Sequence, residues 1–286
     1  IMSSDWSSDV CSSDLAPAVV HNDLSWDRAS WVRVGDEDGG DATWAFAEVP
    51  AMGYATVDVA AEQPAVAGLT ATASELENDC LTVRFGEDGT ITSLFDKRLE
   101  REVLPEGETA NQLLVFVDPG DAWDFPMDYA AQTPRPMQLV SSEAAVDGPQ
   151  AVLTQTYRLG YSELVQRIAL TAGSPRLDFA TQVRWRETAA MLRTRFPVDV
   201  HANAATYEIQ FGHLERPTHR NTTWDLARDE VAAHKWVDLS QRDFGVALLN
   251  DAKYGHKIKD NVIDLNLLRS APYPGTNRLV DADFPE

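Results

Sequence analysis

Reactive side chains crowd into one stretch of this chain, residues 207–236, YEIQFGHLERPTHRNTTWDLARDEVAAHKW. Around Pro217 it gathers His213, His219, His234, Glu215, Arg216, Asn221, Trp224 and Asp225, and five of the six histidines lie between 201 and 256. Imidazoles and carboxylates together are a ligand set for zinc. The spacing argues the other way. His213 and His219 stand six apart, which is neither the i,i+4 pair of a helical HExxH nor a zinc-finger spacing. The alternative is a polar loop whose His and Arg side chains hydrogen-bond backbone groups.

A second group is Asp121-Ala122-Trp123-Asp124, with Tyr129 nearby. A tryptophan ring stacks on the apolar face of a pyranose, and flanking carboxylates accept hydrogen bonds from its hydroxyls. The same residues also suit a turn with Trp123 as a core anchor. Asp121 and Asp124 do not by themselves form an acid/base pair, because a glycosidase needs two carboxyls set apart across the scissile bond. No GxSxG elbow, Walker loop or GxGxxG follows a strand run. Asn221-Thr222-Thr223 fits the N-glycosylation pattern, a tripeptide frequent by chance.

The elements that must carry these groups read as strands. Alternation of apolar and polar residues is seen in LTVRF and TITSLFD, joined by Gly86-Glu87-Asp88-Gly89, which is a hairpin signal. QLVSSEAAV, QAVLTQTYRL, SELVQRIALT and RLDFATQVRW follow, separated by turns at Gly148, Gly160 and Gly173. Earlier strand runs cover 30–34, 43–49 and 55–60. DFGVALLND and NVIDLNLLRS are expected to form a further pair around a turn at Tyr254-Gly255-His256. Short helices are expected at 99–104 and 226–233. Regular helices between strands are missing, so a parallel βαβ architecture is excluded and a mostly β, antiparallel sandwich is expected. The expected division is a small β module with connector over 17–74 and a large sandwich over 75–286.

Hydrophobic residues make up 44% and charged residues 24% of the 286, a balance that fits a folded domain and not a disordered chain. The net charge of −21 repels phosphate backbones and anionic lipid surfaces, so neither nucleic acid nor membrane is an expected partner, while neutral sugars remain compatible. No apolar run approaches the roughly 20 residues of a membrane helix, and residues 1–15 lack the pattern of a secretory leader. Two cysteines, Cys11 and Cys80, make no disulfide framework and suit a reducing compartment.

The run QFGHLERPTHRNTTWDLARDEVAAHKWVDLS, followed by FGVALLNDAKYG, resembles the C-terminal β region of glycoside hydrolase family 38, the class II α-mannosidases, in its cytosolic and bacterial branch. The similarity extends through HNDLSWDR, VPAMGYATVDV, LENDCLTVRF, GTITSLFDK, NQLLVFVD, DAWDF and FPVDV, from residue 17 to about 273. The resemblance implies a galactose-mutarotase-like supersandwich, truncated at its C-terminus. It also implies a zinc-dependent enzyme that hydrolyses α-mannosidic bonds with retention, acting on a mannose-containing oligosaccharide; the absent leader pattern makes the cytoplasm the expected location. In that family the zinc ligands and the nucleophile lie in an N-terminal catalytic domain, and nothing here matches its motifs. No catalytic residue and no metal ligand is therefore assigned to these residues, and the chain alone is expected to be inactive, with the missing catalytic domain as its partner. Asp121, Trp123 and Asp124 are expected at the rim of the sugar site. His213, Arg216, His219 and Trp224 are expected either to touch substrate or to face the neighbouring domain. The rival reading is a stand-alone carbohydrate-binding or structural β module.

The opening DWSSDVCSSDL, residues 5–15, has no counterpart in that family. It resembles one translated frame of a common short-read sequencing adapter, so residues 1–16 are expected to be artefactual or disordered, and Cys11 drops out of the redox argument. These 15 opening residues hold three Asp and no Lys or Arg, so the remainder still carries −18.

Overall fold

The computed structural model describes residues 17–35, 42–120, 123, 125–126 and 128–271. The adapter-like residues 5–15 lie outside these, as do Asp121 and Asp124.

The first described strands are β1 (Ala18–Asn22), β2 (Arg28–Val34), β3 (Thr43–Val49) and β4 (Gly53–Val57), paired β1 with β4 and β2 with β3. They close over a small core of Ala45, Ala47, Val49 and Val57. The strands β5 (Thr70–Thr72), β6 (Glu75–Glu77), β7 (Leu81–Phe85), β8 (Ile91–Asp96) and β9 (Arg101–Glu102) form a five-stranded meander. The LTVRF and ITSLFD hairpin is borne out. The helix expected at 99–104 is not formed. Asp96 Oδ1 accepts the backbone N–H groups of Arg98 and Leu99, and Glu100 turns left-handed at φ 51°. The chain therefore reverses, and Arg101–Glu102 pairs with Phe95 and Asp96.

Next come β10 (Gln112–Val117), a 3₁₀ turn at Tyr129–Ala131, and β11 (Arg135–Pro136). The strands β12 (Gln138–Asp147), β13 (Gln150–Leu159), β14 (Ser162–Thr171) and β15 (Leu177–Arg184) form the four-stranded meander read from the sequence. Two-residue loops join β12 to β13 and β13 to β14, with Gly148 at φ 55° and Gly160 at φ 57°, a conformation that suits glycine. Period-2 alternation puts Leu153, Tyr157, Leu164 and Ile168 on the inner face of this sheet, all at most 3% exposed. Ala151, Leu153, Ile168 and Leu170 pack on Leu76, Val83 and Ile91 of the five-stranded sheet, while Tyr157 and Leu164 pack on Leu113, Val115 and Leu192. Between the two clusters lies a polar layer in which Asn111 Nδ2 donates to Gln166 Oε1 at 2.7 Å.

The remaining strands are β16 (Ala190–Pro197), β17 (Ala204–Ile209), β18 (Gly212–Pro217), β19 (Val231–Ala232), β20 (Trp236–Ser240), β21 (Gly245–Leu249), β22 (Gly255–Lys259) and β23 (Val262–Ser270), with helix α1 (Thr223–Ala227) between β18 and β19. They build a six-stranded sheet, ordered β11-β10-β16-β23-β22-β19, and a four-stranded sheet, ordered β18-β17-β20-β21. Every pairing is antiparallel. Two expectations are corrected here. DFGVALLND does not pair with NVIDLNLLRS. Its strand β21 pairs with β20, and β22 (Gly255–Lys259), whose first two residues fall in the expected turn at Tyr254-Gly255-His256, is the hairpin partner of β23 through a tight turn with Asp260 at φ 53°. The helix expected over 226–233 sits earlier, because Thr222 caps it in a reciprocal box with Asp225, and residues 231–232 enter the sheet.

Candidate functional site

The alternation that makes β16, β22 and β23 strands divides their residues between two faces. The register Arg195↔Asp264 and Lys257↔Asp264 puts these three on one face, and Arg193 joins them two residues along β16. The opposite face carries Leu192, Thr194, Leu265 and Ile263 into the core. The charged face is not open to water. The segment after β10, with Phe125 and Tyr129, and the Asp229-Glu230 pair before β19 cover it.

Arg193, 0% exposed, is the hub. Its Nε donates to Asp264 Oδ1 at 2.6 Å, its Nη2 lies 2.8 Å from Glu230 Oε1, and its guanidinium stands 4.9 Å from the Tyr129 ring centroid. Tyr129 OH donates to Glu230 Oε1 at 2.7 Å. Lys257 Nζ lies 2.8 Å from Asp229 Oδ2 and donates to Tyr129 OH at 3.3 Å. Arg220 pairs with Asp229. Next along the face, Arg269 Nη2 donates to Asp118 Oδ1 at 3.0 Å, and its guanidinium lies 5.2 Å from the Phe125 ring centroid.

Buried charges persist only when paired, because each costs several kcal/mol to desolvate. Burial works against the charge on Arg193, but Asp264 and then Glu230 outweigh it and hold the guanidinium charged. Burial pushes the Glu230 carboxyl above its ordinary range, against the pull of Arg193 and Tyr129. Lys257 is pulled down to about 8, first by burial and then by Arg220. The Tyr129 phenol is pushed up by burial. Chemically the cluster is a clamp. It ties Tyr129, six residues after Trp123, to the stretch 207–236 directly through the hydrogen bond to Glu230 and indirectly through Lys257, which bridges Tyr129 and Asp229.

Trp123 is 68% exposed, so the core-anchor alternative does not apply to it. Arg216 stacks on Tyr207 at 4.7 Å, and burial lowers its pKa while pushing that of Tyr207 up to about 12. His219 Nδ1 lies 3.5 Å from Asp225 Oδ2. Arg216 and His219 share a narrow cleft with Arg220, Arg228, Asp229 and Lys259, with room for about one water. Trp224 projects from α1, 73% exposed. His213 is not with them. It lies two strands away from Trp236 in the same sheet, on the face opposite Arg216. Among the described residues, no three His, Cys, Asp or Glu side chains gather in a way that could hold a metal ion.

Sequence reading missed Arg193, Glu230, Lys257 and Asp264. The available signal was a charge at alternate positions inside apolar runs, as in Arg193 of MLRTRF and Asp264 of VIDLNLL. Alternation reports which face a residue occupies and not whether something covers that face.

Residues 76–277 match the glycosyl hydrolases family 38 C-terminal domain. The chain is 38% identical over 284 residues to Alpha-mannosidase 2C1 of Homo sapiens, covering 93% of this chain and 27% of that protein. It is 39% identical over 208 residues to Alpha-mannosidase G of Dictyostelium discoideum, covering 70% of this chain and 19% of that one. The chain thus spans about a quarter or less of the length of these relatives. Its fold is like the crystal structure of an alpha-mannosidase from Enterococcus faecalis V583, with a TM-score of 0.66 at 13% identity, over 89% of this chain and 33% of that one.

Proposed function

The chain belongs to glycosyl hydrolase family 38 through that family's C-terminal domain, and on that premise we propose that it is the C-terminal β region of an α-mannosidase acting on mannose-containing oligosaccharides. The bond-cleaving groups then come from a catalytic domain outside these 286 residues. The zinc expected of the family, with its ligands, belongs there too, since the described residues do not fit it. By likeness to the cytosolic and bacterial branch, the location is cytoplasmic. Among the described residues no helix is long and apolar enough to cross a membrane.

The contribution of this region is a wall of the sugar site. On this reading Asp121, Trp123 and Asp124 contribute a ring and carboxylates to that wall from one segment, and Arg216, His219 and Trp224 are assigned to it from the stretch 207–236. The observation that carries the reading is the 2.7 Å bond from Tyr129 to Glu230, which joins those two segments over a buried guanidinium. A clamp of this kind fixes an exposed aromatic where a neighbouring domain can use it.

The test compares the 286-residue chain with the longer protein that contains it, using an aryl α-mannoside. The longer protein releases nitrophenol, and Trp123→Ala lowers kcat/KM by about tenfold or more, the scale of one lost sugar contact. The shorter chain releases none. Turnover by the shorter chain, or a longer protein that cleaves only another glycoside, overturns the reading.

A further inference from the structure

His213 points away from the clamp, onto the outer face of the β18-β17-β20-β21 sheet, and there it borders a hollow of about 370 Å³. The hollow is lined by Thr206, His213, Trp236, Asp238, Ala247 and Leu249. Its origin is a gap in the row of side chains. The register places Glu208 opposite His213 and, one residue on from Tyr207↔Val237, beside Trp236. Glu208 leaves the gap because its Oε2 turns to accept the backbone N–H of Lys235 at 2.6 Å. The next row, Thr206↔Asp238↔Ala247, supplies two small side chains as a floor. The His213 and Trp236 rings reach toward each other across that gap, with centroids 6.5 Å apart and planes tilted by 42°, and together form one aromatic wall of the hollow. Leu249, opposite Trp236, is 61% exposed and extends the apolar wall. Asp238 is held in place by the Ser240 hydroxyl, which donates to its Oδ1 at 2.6 Å.

We propose that this hollow binds one or two pyranose units of a neutral oligosaccharide, at a site separate from the wall that Arg216 and His219 help form. The choice of a mannoside as ligand rests on the α-mannosidase reading. The chemistry fits a sugar on four counts. The volume lies within the roughly 300–1,000 Å³ of small-molecule sites. The indole offers a flat apolar face for the C–H side of the ring. Asp238 and Thr206 offer polar groups for its hydroxyls. Glu215 and Asp238 on the same face, in a chain of net charge −21, disfavour an anion.

The test is an NMR titration of the 286-residue chain with methyl α-mannoside and with mannobiose, following the backbone N–H groups of the lining residues Thr206, Asp238, Ala247 and Leu249, which every variant keeps. A saturable shift with a Kd in the millimolar range is expected, about 4 kcal/mol of binding by the conversion of 1 mM. Trp236→Ala should abolish it and Asp238→Asn should weaken it about tenfold, with far-ultraviolet circular dichroism unchanged in both. Trp236→Phe keeps a stacking face and should retain part of the shift. No saturable response, a response that survives Trp236→Ala, or a response to tetramethylammonium and not to either mannoside overturns the proposal. Those outcomes leave the aryl mannoside assay of the longer protein untouched. An inactive longer protein, conversely, leaves this titration readable.

Discussion

The two faces of the six-stranded sheet are made by the same strands and differ by one residue in register. On one face Leu192 packs against Tyr157 and Leu164 of the β12–β15 sheet, Ile263 packs against Val198, Tyr207 and Val237, and Leu265 is buried beside them, so all three lose water. On the other, Arg193, Asp264 and Lys257 also lose water, to Tyr129 and Glu230. The apolar face holds the sandwich together through contacts that tolerate a change of partner. The charged face specifies which partner, because only a hydroxyl and a carboxylate placed as Tyr129 and Glu230 are placed leave no ion unpaired. The comparison suggests a division of labour in which one face stabilises and the other locates the segment that carries Trp123.

Breaking the charged face at its hub should have the largest effect. Arg193→Ala leaves Asp264 and Glu230 buried without their cation and should cost about 3–5 kcal/mol in urea unfolding. Replacing Arg193, Glu230 and Asp264 together by apolar residues of similar size should recover most of that loss, which would separate ion pairing from packing. On the apolar face, Leu192→Ala should cost about 2–4 kcal/mol through the cavity it leaves. Tyr129→Phe removes one hydrogen bond to a charged acceptor and should cost about 1.5–3 kcal/mol.

Lys257 gives the pH arm of the comparison. Its pKa falls from 10.5 to about 8 on folding, so between those values the unfolded chain holds a proton that the folded chain has released. Stability therefore rises with pH across that window. The slope of unfolding free energy against pH should flatten in Lys257→Met, and an unchanged slope would show that the ammonium is not as enclosed as its contacts imply. The smallest effect belongs to an exposed pair, Arg158–Glu163 at 2.8 Å on the β13–β14 hairpin. Glu163→Gln should change stability by less than about 1 kcal/mol.

The sequence announced the parts of the fold that depend on near neighbours. The hairpin over 81–96 and the meander over 138–184 follow from alternation and glycine turns, and both form. The pairing of 243–270 did not follow, because β21 finds its partner in β20 and β22 was hidden behind a Gly in a run that looked like a turn. The helix expected at 99–104 failed for a local reason, the hydrogen bonds that Asp96 makes to Arg98 and Leu99. At the site, the stretch 207–236 and the segment around Trp123 were both legible as chemistry. Their junction was not, because Tyr129 and Glu230 are 101 residues apart and meet over a charge that alternation would assign to water.

Hydrogen exchange of Arg193→Met beside Leu192→Ala tests the division between the two faces most directly. Protection over residues 128–132 rests on turn hydrogen bonds such as Gln132 N–H to Tyr129 O at 3.0 Å. The account predicts that Arg193→Met loses protection first over 128–132, while Leu192→Ala loses it across β12–β15 and leaves 128–132 close to the parent. Equal loss over the same residues in both variants would contradict it, and would mean that the charged face only fills space.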